Sequence, residues 1–291
     1  MIVMATTMRR SCCSDLRAAA WWAVLFCLAC EPGAPAPVLD LPPRPSDAPG
    51  GAALARYLRG LDFEAREERI YAEIARGNVP AWLRHFQKVE MTGEVDGREL
   101  QVMFWVTPDY LAVGSDDDFF LVPLSPQIGQ RIADLVGASL PTPRMVDAVW
   151  ASARHRLAPI RLETNELMAT VGYFEIHDRL VRAQRGLHGV AAGVLVAGHK
   201  KDVVLSATLS ANPGKVAIYG WHRLDGRPIQ PLSTALSDSW VGYNHGVRLV
   251  ARDILVDGTR RDLSDVLRDP DLAPLLSDDG VIAGARYSIV R

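Results

Sequence analysis

Hydrophobic residues recur at helical spacing in several separate stretches of the chain. From Ala52 onward, leucines and isoleucines are spaced as in a pair of helices, which Asn78-Val79-Pro80 brings to an end. Ser125 and Thr142 each precede a proline, an order of residue types that is typical of a helix start. The pattern predicts helices over 52–77 (as a pair), 125–136, 142–153, 165–185 and 263–267.

Alternating or continuous apolar runs predict strands on both sides of these helices. The strand-like segments are 86–107, 193–209, 215–232 and 245–261. Asp96-Gly97, Asp225-Gly226 and Asp257-Gly258 each place a tight turn within such a segment. Helices in the middle and strands on either side indicate a single α+β domain over residues 52–291, with a largely antiparallel sheet.

The first 51 residues differ from this body in composition. Arg9 and Arg10 precede an apolar run of about a dozen residues, too short to span a bilayer, so residues 1–29 are predicted to be an export signal peptide. Residues 30–51 are rich in proline and glycine and are predicted to be an extended tether.

The signal run ends in the sequence CLAC, which resembles the lipobox of bacterial lipoproteins. That resemblance implies lipidation at Cys30, although Cys27 stands three positions earlier, where the motif usually carries leucine. We therefore expect a lipid-anchored protein of the cell envelope, on the extracytoplasmic side. The alternatives are secretion after cleavage near Ala34-Pro35-Ala36 and an uncleaved anchor.

Charge and cysteine usage narrow the classes of function. The net charge is −2 and the basic residues are scattered, so we expect no nucleic-acid partner. All four cysteines lie within the first 30 residues, so the body has no disulfide, no cysteine nucleophile and no thiolate ligand. A zinc site is possible only with histidine and carboxylate ligands. The sequence also lacks the serine-hydrolase, phosphate-loop, dinucleotide and H-E-x-x-H motifs.

Three segments in the last hundred residues concentrate histidine, basic and aromatic residues: AGHKKD, YGWH and WVGYNHGVR. An aspartate beside a histidine can orient its ring, lysine and arginine can hold an anion, and exposed aromatic rings suit stacking on sugars. The candidate catalytic residues are His199, Asp202, His222 and His245. The candidate substrate-binding residues are Lys201, Trp221, Gln230, Trp240, Tyr243 and Arg248.

Each segment also has a simpler interpretation. AGHKKD is either one continuous strand, which separates His199 from Asp202, or a tight connection that gathers its polar residues, and it also suits a solvated hairpin tip. In YGWH, His222 ends a row of apolar positions, as a histidine at the margin of a core does.

The NHGVRL segment resembles the SHGCxR signature of YkuD-type L,D-transpeptidases. His245, Gly246 and Arg248 match that signature, Asn244 stands in place of serine, and the cysteine nucleophile is missing. The thiol chemistry of those enzymes therefore cannot occur here. A wider likeness rests on the segments TPDYLAVGSDDDF, LPTPRMVDAVW, LVAGHKKDVVL, GKVAIYGWHRLDGRPIQPLS and NHGVRLV. Together they resemble an uncharacterised family of exported bacterial proteins over most of residues 85–280, which implies an extracytoplasmic domain and gives no mechanism.

Two functions follow from these observations. The first is a thiol-independent hydrolase of an envelope polymer such as peptidoglycan, dependent on histidine or on a metal. The second is a non-catalytic lipoprotein that binds a glycan or a peptide. An inactive descendant of a transpeptidase-like fold is a third possibility.

Overall fold

Helices form where hydrophobic spacing and capping residues coincide. The structure, a computed structural model, describes residues 36–289. The α-helices of this part are α1 (Gly51–Leu58), α2 (Phe63–Ala75), α3 (Pro126–Leu135), α4 (Pro143–Ser152), α5 (Val171–Leu187) and α6 (Leu263–Arg268). Ser125 caps α3 by accepting from the Ile128 amide, and Thr142 caps α4 by accepting from the Met145 amide, as predicted.

The predicted helix over 165–185 is wrong at its start. Asn165 caps a short 3₁₀ turn, Glu166–Ala169, by accepting from the Leu167 amide at 3.0 Å. Thr170 then caps α5 by accepting from the Tyr173 amide at 3.4 Å. Two capping residues five positions apart thus divide one hydrophobic pattern into two elements.

The strands are short outside two hairpins. They are β1 (Gln87–Val95), β2 (Arg98–Val106), β3 (Ala112–Gly114), β4 (Phe119–Leu121), β5 (Ala138–Ser139), β6 (His155–Arg156), β7 (Val196–Ala197), β8 (Lys201–Val203), β9 (Ile218–His222), β10 (Pro228–Ser233), β11 (His245–Gly246), β12 (Val250–Ala251), β13 (Asp253–Val256) and β14 (Thr259–Asp262). The Asp96-Gly97 and Asp257-Gly258 turns have positive φ at both residues, as the favoured two-residue hairpin turn requires, and confirm the predicted hairpins.

Two main sheets result. The larger is antiparallel, with the order β14-β13-β2-β12-β5 and β1 paired to β2. The smaller has the order β10-β9-β8-β11, in which only β8 and β11 run parallel. Two-stranded pairs form between β3 and β4 and between β6 and β7. The fold is therefore α+β and largely antiparallel, as the sequence indicates.

The AGHKKD segment is a tight connection rather than a continuous strand. The strand pattern breaks at Gly198, where φ is +100°. β7 on one side pairs with β6, whereas β8 on the other side belongs to the smaller sheet. His199 and Lys200 occupy the bend between them, and both are buried. Farther on, Ala207–Ala211 forms a 3₁₀ helix in place of the predicted end of the strand.

Residues 36–50, which the sequence assigns to the tether, lie against the body. Leu39 is buried, and Val38 forms a β-bridge with His85. Arg44 donates to the Asn78 side chain at 2.9 Å and to the Gly114 carbonyl at 3.1 Å. The predicted signal peptide and Cys30 lie outside the described residues. Within residues 36–289, no helix has the length and apolarity needed to cross a bilayer.

One large hydrophobic core joins most of these elements, beside a small second cluster of Val146, Val204 and Ala217. It includes Leu58 of α1, Phe104 of β2, Ile132 of α3 and Val250 of β12, all fully buried. The core continues around the bend at residues 198–200, so the polar side chains of that bend are surrounded by packed protein rather than by water.

Gly198 tests the importance of this bend. A Cβ at Gly198 would lie 2.6 Å from the Leu157 carbonyl oxygen, and L-residues avoid a φ of +100°. We expect Gly198→Ala to lower the free energy of unfolding by about 2 kcal/mol or more. Gly186→Ala is the matched control, since Gly186 is helical with open space around it, and we expect it to be neutral or slightly stabilising. Urea denaturation of both variants measures the difference; equal effects would contradict the importance of the bend.

Candidate functional site

Six charged side chains gather in the interior around the bend. All are less than a tenth exposed: Asp109, Asp178, Asp202, Arg185, Lys200 and Arg248. Burial of an ion costs several kcal/mol unless an opposite charge and hydrogen bonds compensate it. Three acids and three cations provide this compensation here. We call this group the buried charge network.

Asp109 is central to the network. Its carboxylate forms an ion pair with Arg185 of α5 and accepts a hydrogen bond from the Tyr110 amide at 2.7 Å. His199 Nε2 approaches the same carboxylate to 3.1 Å, without hydrogen-bond alignment. Burial by itself raises the pKa of Asp109, but His199 and Arg185 outweigh it and hold that pKa well below its usual range. Asp109 is therefore an ionised structural anion.

Arg248 is held on several sides. Its guanidinium donates to the carbonyls of Thr107 at 2.6 Å and Val196 at 2.7 Å, and Cζ lies 4.5 Å from the centroid of the Tyr110 ring. Arg248 Nε lies 4.0 Å from Asp202. Because Arg248 is only 1% exposed, the structure does not support its predicted role as a substrate anchor. Arg248 instead joins Thr107, the residue after β2, to β7.

Asp202 is equally enclosed. Its carboxylate accepts from the Tyr110 hydroxyl at 2.8 Å, and burial raises its pKa to about 6. The sequence pairs Asp202 with His199 as orienting acid and base. In the structure the acid beside His199 is Asp109, because the bend turns His199 towards the other side of the network.

Lys200 lies near the Tyr243 carbonyl and the Asp178 carboxylate. Its ammonium donates to the Tyr243 carbonyl at 2.7 Å, and burial lowers its pKa to about 8 despite the opposing effects of Asp178 and Asp109. Asp178 of α5 accepts from the Leu121 amide at 3.0 Å, and burial raises its pKa to about 6. The predicted binding residue Tyr243 is buried, and its hydroxyl accepts from the Leu162 amide at 2.9 Å. Tyr243 is therefore part of the packing.

Three histidines are buried around this network. His177, His199 and His245 are at most 1% exposed, and no residue within 36–289 forms a hydrogen bond with their ring nitrogens. Burial lowers the pKa of each, and for His245 burial together with Lys201 and Lys200 lowers it to about 3. These rings are neutral at pH 7. Their burial argues against the predicted catalytic roles of His199 and His245, because a general base must reach its substrate.

His222 has a different environment. Its Nε2 lies 2.8 Å from Asp147 of α4, and the Tyr219 hydroxyl contacts both oxygens of that carboxylate at 2.9 and 3.0 Å. The Trp150 ring stacks on His222 at 5.8 Å. The histidine is buried, but the side chain of Asp147 is 48% exposed. The group accessible to a ligand is thus Asp147, which the sequence analysis did not identify.

A second polar group of side chains surrounds Trp221 of β9. Lys201 Nζ lies 5.4 Å and Arg161 Cζ 5.7 Å from the centroid of the Trp221 ring. Within residues 36–289, no acidic side chain forms an ion pair with either cation. We call Arg161, Lys201 and Trp221 the Trp221 platform.

The backbone fixes this platform. Gly220 and Trp221 both have positive φ, +98° and +55°, so β9 does not alternate as a regular strand does. The prediction that Trp221 is an exposed stacking surface is therefore wrong. The ring is 5% exposed, and it lies within cation–π distance of both cations.

The two remaining candidates lie apart from the buried network. Trp240 is half-buried and meets His245 edge-on, with ring centroids 5.3 Å apart. Gln230 lies on the edge strand β10, where its side-chain amide donates to the Pro231 carbonyl at 2.8 Å. Within the described residues, the Gln230 side chain forms no hydrogen bond with a candidate histidine.

The zinc site that the sequence left possible has no matching group of ligands among the described residues. In the part of the chain that the structure describes, no three histidine or carboxylate side chains lie where they could hold a metal ion together. His199, His222 and His245 each meet different partners: Asp109, Asp147 and Trp240.

Five members of these sites were not candidates from the sequence: Asp109, Asp147, Asp178, Arg161 and Arg185. One signal was present for α5. Its buried face includes Phe174, His177, Val181 and Arg185, so charged and polar residues occupy positions that helical spacing assigns to the core. A buried polar residue on such a face requires a partner from elsewhere in the chain.

Comparison with known proteins adds no assignment. No protein-family model, curated protein or solved structure matches this chain. Its function is therefore argued from the geometry described above.

Asp109 provides a test of the buried charge network. We expect Asp109→Asn to lower the free energy of unfolding by about 3 kcal/mol or more, because it leaves the Arg185 charge buried without its partner. Asp253→Asn removes an exposed ion pair with Arg260 and is expected to cost less than about 1 kcal/mol. Urea denaturation at pH 7 compares the two, and similar small losses would contradict the central role of Asp109.

His245 makes stability depend on pH. Below about pH 6.5 the unfolded chain binds a proton at this residue, whereas the folded protein does so only near pH 3. The stability contributed by the neutral ring is therefore complete above pH 6.5 and falls with decreasing pH. Between pH 7 and pH 5, we expect wild type to lose about 2 kcal/mol more than His245→Phe. Denaturation at both pH values measures this difference; the exposed residue His85, changed to Gln, is the control and should behave as wild type.

Proposed function

We propose that this protein is an exported, lipid-anchored envelope protein that binds a carboxylate-bearing polymer or peptide without cleaving it. The observation that carries the proposal is the Trp221 platform, where two cations share one indole ring and no described acid pairs with either. The envelope location rests on the signal-like sequence and the lipobox resemblance at Cys30.

The electrostatics of the platform favour an anionic ligand. Burial and the neighbouring Arg161 charge both lower the pKa of Lys201, so the two cations repel each other in the free protein. A carboxylate placed between them would offset this repulsion and form charge-assisted hydrogen bonds with both. Partial burial strengthens such a contact relative to a fully exposed ion pair.

Cell-wall polymers provide ligands of this kind. The stem peptides of peptidoglycan carry carboxylates, and its sugar rings present faces that pack against aromatic side chains. The half-buried Trp240 supplies such a side chain. Its ring meets His245 of β11, and His245 is the strand partner of Lys201 of β8. Peptidoglycan is therefore the first envelope polymer to test as a ligand.

The alternative, a hydrolase, has one observation in its favour. The half-exposed Asp147 carboxylate is held by His222 and Tyr219, which keep it oriented. Against catalysis, His199, Asp202 and His245 are sealed in the interior, and the described residues contain no metal-ligand group. Binding is therefore the function that the geometry supports better.

Cosedimentation of the purified protein with peptidoglycan sacculi tests the proposal. We expect Lys201→Gln and Arg161→Gln each to weaken binding about tenfold, and added salt to weaken wild-type binding. Lys215→Gln and Arg98→Gln remove cations outside the platform and should bind as wild type does. Release of soluble fragments from the sacculi, lost in Asp147→Asn, would instead establish the hydrolase. Equal binding by all four charge variants would contradict the platform as the binding surface.

A further inference from the structure

A small cavity opens beside α5, away from the Trp221 platform. It has a volume of about 240 Å³. Its walls include Trp82, Phe119 of β4, Asp116, and Arg182 and Arg185 of α5. This volume is below the range of drug-sized ligand sites, so the cavity suits a ligand of only a few heavy atoms. We call it the arginine cavity.

Arg185 connects this cavity to the interior. Its side chain is only 9% exposed, and one terminal nitrogen, Nη1, pairs with Asp109 of the buried charge network. Within residues 36–289, Nε and Nη2 of Arg185 have no hydrogen-bond acceptor. Because Arg185 lines the cavity, these two nitrogens are available to an anion there.

Arg182 stands one helical turn before Arg185 and is more exposed. Its guanidinium donates to the Phe119 carbonyl at 2.8 Å and to the Asp117 carbonyl at 3.3 Å. These bonds fix the position of the guanidinium, but the carbonyl acceptors carry no negative charge to neutralise it. Among the described residues, the ion pair of Arg182 is with Asp178, at 4.0 Å.

Two aromatic rings support the arginines. Trp82 and Phe119 meet edge-on with ring centroids 5.1 Å apart. Arg182 Cζ lies 4.7 Å from the Phe119 centroid, and Arg185 Cζ lies 5.7 Å from the Trp82 centroid. A guanidinium supported by a ring still directs its N–H groups outward in its own plane, where a carboxylate can accept two of them.

We propose that the arginine cavity is a binding site for a small monocarboxylate. Two guanidiniums provide the matching donors, and the small volume limits the ligand to a carboxylate with a short apolar body against Trp82 and Phe119. The Asp116 carboxylate on the wall opposes a second negative charge. That charge selects a monoanion over the dianionic form of phosphate.

This site is independent of the proposed polymer-binding surface, because it shares no residue with the Trp221 platform. Binding of acetate and binding of sacculi are therefore separate measurements, and the failure of one leaves the other standing.

Titration of the full-length purified protein with sodium acetate, at constant ionic strength, tests the proposal by NMR or calorimetry. We expect saturable binding that Arg182→Gln weakens about tenfold. Arg179→Gln removes the same charge from the same helix outside the cavity and should bind as wild type. Ala192 also lines the cavity. Ala192→Phe would fill the cavity while keeping both arginines, and we expect it to abolish binding.

Each opposite result overturns the assignment. Non-saturable acetate binding would show that the cavity is not a site. An equal loss in Arg179→Gln and Arg182→Gln would indicate general charge attraction. Phosphate binding more tightly than acetate at pH 7.5 would overturn the preference for a monocarboxylate. Lys201→Gln should leave acetate binding unchanged, which separates this test from that of the proposed function.

Discussion

The ion pair between Asp109 and Arg185 is the constraint on which the interior depends. It joins the start of the β3 region to α5 across 76 residues and places a full charge on each side in packed surroundings. Burial of such a pair is costly unless further hydrogen bonds and charges around it offset the loss of water. The Tyr110 amide donates to the Asp109 carboxylate, and the charge of Arg248 also favours its ionised form.

This constraint separates structural polar residues from those that a ligand can reach. In the sequence, AGHKKD and NHGVR are the segments whose residue types most suggest catalysis. They contribute His199, Lys200, His245 and Arg248, all of which are buried in the interior. Accessible chemistry lies at the margins, on Lys201, Arg161 and Asp147. A histidine-rich motif at strand ends thus stabilises the junction of two sheets, while its flanking residues meet solvent.

Local features of the fold were predictable, and distant pairings were not. Ser125, Thr142 and the two Asp-Gly hairpin turns act through their immediate neighbours, so sequence alone locates the elements they begin or connect. The pairing of Asp109 with Arg185, like that of Asp147 with His222, depends on the topology of the whole chain. The positive φ of Trp221 also escaped prediction, because Gly220 alone does not indicate that the following tryptophan shares its conformation.

Arg185 touches both the interior and the arginine cavity, and Asp109 is shared between Arg185 and His199. An anion bound at Arg185 would add negative charge near His199 and favour its protonated form. By thermodynamic linkage, protonation of His199 must then strengthen anion binding by the same factor. Proton uptake at His199 and the anion binding proposed at Arg185 would therefore be coupled reciprocally through Asp109, the carboxylate that lies beside both side chains.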